Sequence, residues 1–316
     1  MLAPHGDLSV LTSRILKNGE YRLGDLLGKG ATGMVYRATR RSLGDDVAVK
    51  VLHADLALDR HAVVRFVAEF RRMAGLRHPN LISVYDVGQE EELVYLVMQL
   101  AYGGTLRERL PARVGLTGVT AAVRLIERLA DGLDYLHQRG VVHLDVKPAN
   151  VLLTRSNWPL LSDFGIARLV QEPATYSLER RLLGTPAYMA PELCQGKPAD
   201  ARSDQYALAV LAFELLVGRR PIGGASVAEV MRRQAEDLPP RPSAFDPALC
   251  EHVDMVLLRA LSKPPECRFA TVREFASALR DAASGPSAAP GPRLVVAASI
   301  DWALDTSTED TIEQVD

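Results

Sequence analysis

Apolar positions between residues 21 and 99 recur mainly with a period of two, in short runs broken by glycine and aspartate. That pattern predicts strands at residues 21–28, 34–39, 47–52, 81–87 and 93–99. Residues 62–75 are the exception and read as a helix. The pair Gly103-Gly104 then marks a break suited to a hinge. Beyond it the period lengthens: in residues 120–139 the apolar positions are Val123, Ile126, Ala130, Leu133 and Leu136, with Arg124, Glu127 and Arg128 on the opposite side, as on an amphipathic helix. Residues 206–217 are apolar almost all round, which predicts a helix buried in a larger helical body. Strands with one helix, followed by mostly helices, make this an α+β chain.

Composition adds bounds rather than direction. With 316 residues, 47% hydrophobic and 24% charged, the chain can bury a core large enough for two lobes. A formal net charge of −2 argues against nucleic acid or an anionic membrane as the main partner, since no basic excess provides long-range attraction. Cys194, Cys250 and Cys267 have no spacing that suggests zinc or a disulfide framework, so a reducing, cytoplasmic location is expected. Residues 1–17 lack the apolar core of a signal peptide, and no stretch approaches the roughly 18 apolar residues of a membrane span. After residue 280 the composition shifts to Ala, Ser, Gly and Pro, a linker, and the end of the chain is acidic, with Asp301, Asp305, Glu309, Asp310, Glu313 and Asp316. Two readings of residues 283–316 stand: a flexible end, or a segment whose apolar patch at 294–298 docks on the folded body or a partner, with Thr306, Ser307 and Thr308 as modification sites.

Candidate chemistry lies in separate stretches. Gly28-Lys29-Gly30-Ala31-Thr32-Gly33 could be a dinucleotide-binding turn, but that turn should open a helix, whereas Met34-Val35-Tyr36 continues as a strand. A strand-turn-strand loop remains, either an ordinary hairpin or one whose glycines let backbone amides face an anion. Lys50 stands in the apolar strand Val47-Ala48-Val49-Lys50-Val51. Then follow His143-Leu144-Asp145-Val146-Lys147-Pro148-Ala149-Asn150, Asp163-Phe164-Gly165, and Gly184-Thr185-Pro186-Ala187-Tyr188-Met189-Ala190-Pro191-Glu192. In this order the motifs resemble the eukaryotic-like (Hanks-type) protein kinase family, and within it the bacterial serine/threonine kinases. The resemblance covers residues 18–282.

It implies a bilobal fold: a small antiparallel β-sheet lobe with one helix at 18–101, a larger mainly helical lobe at 102–282, an extension at 1–17 and a tail at 283–316. It implies transfer of the γ-phosphate of ATP to serine or threonine of protein substrates, the kinase itself included, with Mg2+ or alternatively Mn2+. Carried onto this chain, the glycine loop with Lys29 would cover the phosphates. Lys50 would hold the α- and β-phosphates and pair with Glu69. Val35, Ala48 and Leu152 would sandwich the adenine ring, Met98 would close the back of its pocket, and the backbone of Gln99 and Ala101 would bind its edge.

Asp145 would orient the attacking hydroxyl and accept its proton, Lys147 would neutralise charge on the γ-phosphate, and Asn150 and Asp163 would bind metal. Phe164 would be the packing switch beside them. Thr185 would bridge Asp145 and Lys147, Glu192 would pair with Arg268, and Asp204 would anchor the catalytic loop. Ala209 stands where the family usually has glycine. Leu144 replaces the arginine that usually receives a phosphate on the activation loop, so activity is expected to depend little on phosphorylation there, although Thr175, Tyr176 and Ser177 offer hydroxyls. Two rival readings are a nucleotide-binding scaffold without catalysis and a kinase for a small metabolite.

Overall fold

Period-two alternation becomes a six-stranded antiparallel sheet in the order β1-β2-β3-β4-β6-β5. Its strands are β1 (Ile15–Leu16), β2 (Tyr21–Gly30), β3 (Gly33–Arg40), β4 (Asp45–Leu52), β5 (Val84–Glu90) and β6 (Leu93–Gln99). The strand expected from residue 81 starts later, because the backbone at 81–82 is committed elsewhere: the Ile82 amide donates to Leu161 O at 2.8 Å. The computed structural model describes residues 11–30, 32–52, 64, 67–68, 70, 74–90, 93–110, 118–164 and 186–285. By internal packing the chain divides into residues 1–115 with 128–185, and residues 116–127 with 186–316. Among the described residues no helix is long and apolar enough to cross a membrane.

In the first unit, residues two apart on a strand share a face, and the sheet uses both. One face carries the apolar cluster of Leu16, Tyr21, Leu23, Tyr36, Ala38, Val47, Val49, Val51, Tyr95 and Val97. At about 1.5–3 kcal/mol for each fully buried large apolar side chain, this face dominates the stability of the sheet. The other face presents Val35 opposite Lys50 and Ala48 opposite Met98. Ahead of the stretch that carries the resemblance, Ile15 and Leu16 form the edge strand β1, and Leu16 is fully buried. The Lys17 amide donates to Glu90 Oε1 at 2.8 Å, and its ammonium pairs with Asp86. The Tyr21 hydroxyl donates to Asp86 Oδ2 at 3.0 Å, and burial, with Asp86 beside it, pushes that phenol well above its usual range. The N-terminal segment thereby ties itself to the outer strand β5.

Below the sheet in sequence, α1 (Leu106–Arg109) is held by a capping box in which Thr105 and Glu108 satisfy each other's backbone amides. Helix α2 (Val119–His137), whose residues up to 127 are grouped with the second unit, follows the amphipathic stretch expected at 120–139, with Val123, Ile126, Ala130, Leu133 and Leu136 buried. The hairpin β7 (Val151–Leu153) and β8 (Pro159–Leu161) completes the unit. Of the helix expected at 62–75, Val64, Val67, Ala68 and Phe70 are helical, Ala74 and Gly75 form a turn, and the other residues, Glu69 included, lie outside the described ones.

The second unit is helical: α3 (Pro191–Cys194), α4 (Ala201–Val217), α5 (Val227–Glu236), α6 (Glu251–Ala260) and α7 (Val272–Ser284). Helix α4 is buried continuously from Ser203 to Glu214, as its nearly uniform apolar surface requires, and stops at Gly218, whose φ of 83° is the left-handed turn glycine adopts without strain. Buried polar groups here are paired with one another. Gln205 donates to the carbonyls of Phe269 and Thr271, and the Phe269 amide donates back to Gln205 Oε1.

Lys263 donates to Gln234 O at 2.7 Å and to the Tyr206 hydroxyl at 3.3 Å. Burial pushes its ammonium down to about 8; Asp237 and Cys194 oppose that shift, and Arg268 adds to it. In the unfolded chain a lysine titrates near 10.4, roughly, so between these values the unfolded state holds more protons and stability rises with pH. Denaturant titrations from pH 8 upward should show the wild type gaining stability relative to Lys263→Met. Parallel curves would remove that account.

Candidate active site

A buried lysine needs an acceptor, and Lys50, 4% exposed on β4, finds one in Asp163 at 2.8 Å. The hairpin places that aspartate. Val151 pairs with Leu161, so the residues flanking the pair, Asn150 and Ser162, meet at its open end. There the Ser162 amide and hydroxyl donate to the Asn150 carbonyl at 2.9 and 3.1 Å. Asp163, the next residue, is set beside Asn150. Its φ of 61° is left-handed, as is that of Leu144 at 66°. A non-glycine residue pays roughly 1–2 kcal/mol for such a backbone, and the two that do so here flank the reactive groups.

Asn150 closes the loop from the other side. Its Nδ2 donates to Asp145 O at 2.8 Å and to Asp145 Oδ2 at 2.6 Å, while its own amide donates to Lys147 O at 3.0 Å. Lys147 Nζ lies 3.2 Å from Asp145 Oδ2. His143, fully buried, accepts from the Asp145 amide through Nδ1 at 3.3 Å and meets Phe164 edge to face. One unit thus brings together Lys50, Asp145, Lys147, Asn150 and Asp163. Glu69 and Thr185, expected beside them, lie outside the described residues, as do Gly165, Thr175, Tyr176 and Ser177.

The residues present fit a divalent cation held jointly with phosphate. Because both Nδ2 contacts are taken by Asp145, Asn150 has its Oδ1 to offer a hard cation, and Asp163, which follows the Ser162 bonded to the Asn150 carbonyl, has a carboxylate. Among the described residues no three His, Cys, Asp or Glu side chains converge. Mg2+ is commonly bound by one or two carboxylates plus substrate phosphates, which matches this sparse donor set.

The glycine loop separates into two roles. Gly28 pairs with Val35, Lys29 with Met34 and Gly30 with Gly33, so the reading of strand, turn and strand holds. At Gly33, with φ 156°, a Cβ would lie 2.1 Å from Val51 O; the sheet itself demands glycine there. Among the described residues, a Cβ at Gly28 would meet nothing within 4 Å, and one at Gly30 would meet a carbonyl at 3.8 Å. Packing against the described residues does not require glycine at those two positions, whereas close approach of a ligand would. Gly33→Ala is therefore expected to lower the melting temperature, and Gly28→Ala to leave it unchanged while weakening ATP binding. Thermal melts with and without ATP check both, and equal destabilisation would refute the division.

Val35, Ala48, Lys50 and Met98 share the sheet face described above. Leu152 sits in β7, bridged to Thr105. Gly103 lets two backbones touch here: its amide donates to Leu153 O at 2.8 Å, and a Cβ would lie 2.4 Å from Thr154 O. The Gln99 amide already donates to Ser83 O at 2.8 Å, so a ligand cannot use it. Nothing in the sequence flagged Ser162, whose signal is only a small polar residue ending the apolar run Leu160-Leu161.

In the second unit Glu192 and Arg268 form the expected pair, bidentate at 2.9 and 2.7 Å. Arg268 also donates to the carbonyls of Arg202, Ser262 and Lys263, and Ser203 donates to Glu192 at 2.7 Å. Asp204 is buried at the start of α4.

The protein kinase domain family matches residues 21–273, and the chain belongs to it. It is 39% identical over 263 residues to the serine/threonine-protein kinase PknB of Mycobacterium tuberculosis, covering 81% of this chain and 41% of that protein. To the serine/threonine-protein kinase PkaA of Streptomyces coelicolor it is 40% identical over 280 residues, covering 84% and 50%. The chain thus spans half or less of the length of these relatives. Among solved structures, the PknI kinase domain of Mycobacterium tuberculosis superposes with a TM-score of 0.67 at 35% identity, over 84% of this chain and 96% of that one. An antiparallel sheet followed by a helical body is accordingly the bilobal kinase fold.

Proposed function

We propose that this chain is a bacterial serine/threonine protein kinase acting in signalling, which transfers the γ-phosphate of ATP to hydroxyls of protein substrates and of itself. The observation that carries this reading is the convergence of Asp145, Lys147 and Asn150 with the Lys50–Asp163 pair in one unit. Asp145 orients the acceptor hydroxyl and takes its proton as the oxygen attacks the γ-phosphorus and the bond to ADP breaks. Lys147 sets a cation beside that carboxylate, where negative charge gathers on the transferred group. Lys50 meets the α- and β-phosphates. Asn150 and Asp163 hold Mg2+, or Mn2+, which supplies charge neutralisation to the phosphates when bound. Val35, Ala48, Leu152 and Met98 enclose adenine, with the backbone of Gln99 and Ala101 at its edge. Glu69 pairs with Lys50 and Thr185 with Asp145 in the same reading.

A protein acceptor is favoured by the segment from Pro186 to Glu192, which Arg268 anchors as a fixed platform. Free cysteines agree with a cytoplasmic setting. The test is incubation with labelled ATP and magnesium, with and without a generic basic protein, beside a panel of small hydroxylated metabolites. Label on serine and threonine of protein is expected. Label on a metabolite alone, or nucleotide binding without transfer, would overturn the reading in favour of a metabolite kinase or a scaffold.

A further inference from the structure

The most exposed large apolar side chain described in this protein is Leu238, at 86%, in the connection that leaves α5. It begins the run Leu238-Pro239-Pro240-Arg241-Pro242. The backbone is extended at both ends, with φ −77° and ψ 135° at Asp237 and φ −70° and ψ 132° at Arg241, the polyproline conformation. With three residues per turn, Pro239 and Pro242 share one side, and Leu238 and Arg241 another. Pro242 is buried and Pro239 half-buried, whereas Leu238 and Arg241 are exposed. A domain that reads paired prolines would find Pro242 covered and Pro239 and Pro240 half-covered. What faces outward is one apolar and one cationic side chain.

Three residues after Pro242 stands Phe245, 41% exposed, with its edge on Phe213 and the exposed guanidinium of Arg219 stacked 4.6 Å from its centroid. Two exposed apolar side chains, Leu238 and Phe245, and two exposed arginines, Arg241 and Arg219, therefore mark this connection, a strip bounded by Asp237, which is paired with Arg233, and by Asp246, which accepts from the Ala248 amide. The chain itself offers a complement. Cys250, at the N-cap of α6 and five residues after Phe245, donates through its thiol to Ala282 O at 3.4 Å. Helix α7 therefore ends beside the start of α6, close in sequence to the strip. The residues that leave from that point become acidic and apolar together: Asp301-Trp302-Ala303-Leu304-Asp305 is followed by Glu309, Asp310, Glu313 and Asp316, with no Lys or Arg after Arg293. At about 3.3 Å per residue, the sixteen residues between α7 and Asp301 can span on the order of 50 Å, ample reach.

We propose that residues 301–305 of this chain dock on the Leu238–Phe245 strip, with Trp302 and Leu304 against Leu238 and Phe245 and the flanking aspartates beside Arg219 and Arg241. Apolar contact supplies the affinity and the charge pairing sets the register. The strip is a binding site for an acidic, aromatic segment, and the tail is its resident occupant.

Trp302 is one of two tryptophans in the chain, so its emission is obtained as the difference between the full-length protein and its Trp302→Phe variant. The expected result is blue-shifted emission, protected from acrylamide relative to a synthetic 286–316 peptide. Arg219→Glu with Arg241→Glu should red-shift it and raise quenching to the level of the peptide, with the melting temperature retained. Emission equal to that of the free peptide in the unaltered protein would overturn the proposal. So would a blue shift that fades on dilution, which assigns the strip to a second copy, or one that survives the charge reversals, which places Trp302 elsewhere. Fluorescence reads docking without catalysis, so this outcome and that of the phosphoryl-transfer assay are independent.

Discussion

Asp145→Asn should lower the rate of phosphoryl transfer by about one hundred- to ten-thousand-fold, the range a positioned proton acceptor contributes. The site gives the reason this loss is separable from unfolding. Asp145 receives Asn150 Nδ2 at 2.6 Å and faces Lys147 at 3.2 Å; an amide of the same shape keeps an oxygen for Asn150 while losing the charge and the proton affinity. Nucleotide affinity and melting temperature should therefore stay close to those of the wild type. Single-turnover rates with labelled ATP, alongside nucleotide titrations, check both. A rate within tenfold of the wild type would mean that Asp145 does not take the proton.

Arg268→Met is expected to carry the largest cost in stability. It removes the partner of a carboxylate that is almost fully buried, together with the donors to three backbone carbonyls. Leaving one member of a buried pair uncompensated costs about 3–5 kcal/mol. At roughly 2–4 °C per kcal/mol for a domain of this size, the melting temperature should fall by about 6–20 °C. Glu192→Leu in the same background removes the orphaned charge and should restore part of the loss. A drop smaller than the lower bound would show that water reaches Glu192.

Acid should act on the same pair. Burial alone would raise the Glu192 carboxyl, but hydrogen bonds from Arg268 and Ser203 outweigh it and hold the group below the usual carboxylate range. A depressed folded value means stability that is present above the unfolded value, roughly 4.3, and lost as pH falls through the folded one. The difference in stability between wild type and the double variant should narrow below about pH 4 for that reason.

The strands and helices were legible because their apolar period is set by which face must be buried, and the catalytic loop because its chemistry needs fixed residue types. Lys50 shows where reading along the chain stops. By its strand alone it could be an ordinary solvated lysine, and the acceptor seen here, Asp163, is 113 positions away. Only the register of β7 with β8 brings it near. Lys17 and Asp86 illustrate the same limit: each looks like an ordinary surface charge until the sheet curves their strands together. Pairings made by topology leave no local mark, whereas the Glu192–Arg268 pair could be read because both residues sit in recognisable motifs.

Leu16, buried in the sheet ahead of the matched region, and Phe275, Ala276 and Leu279, buried after it, place the physical edges of the folded body outside residues 21–273. A fragment trimmed to the family boundaries would strip the cover from both ends of the core and leave sticky apolar surface in water. For anyone expressing this domain, a fragment has to keep at least residues 11–284.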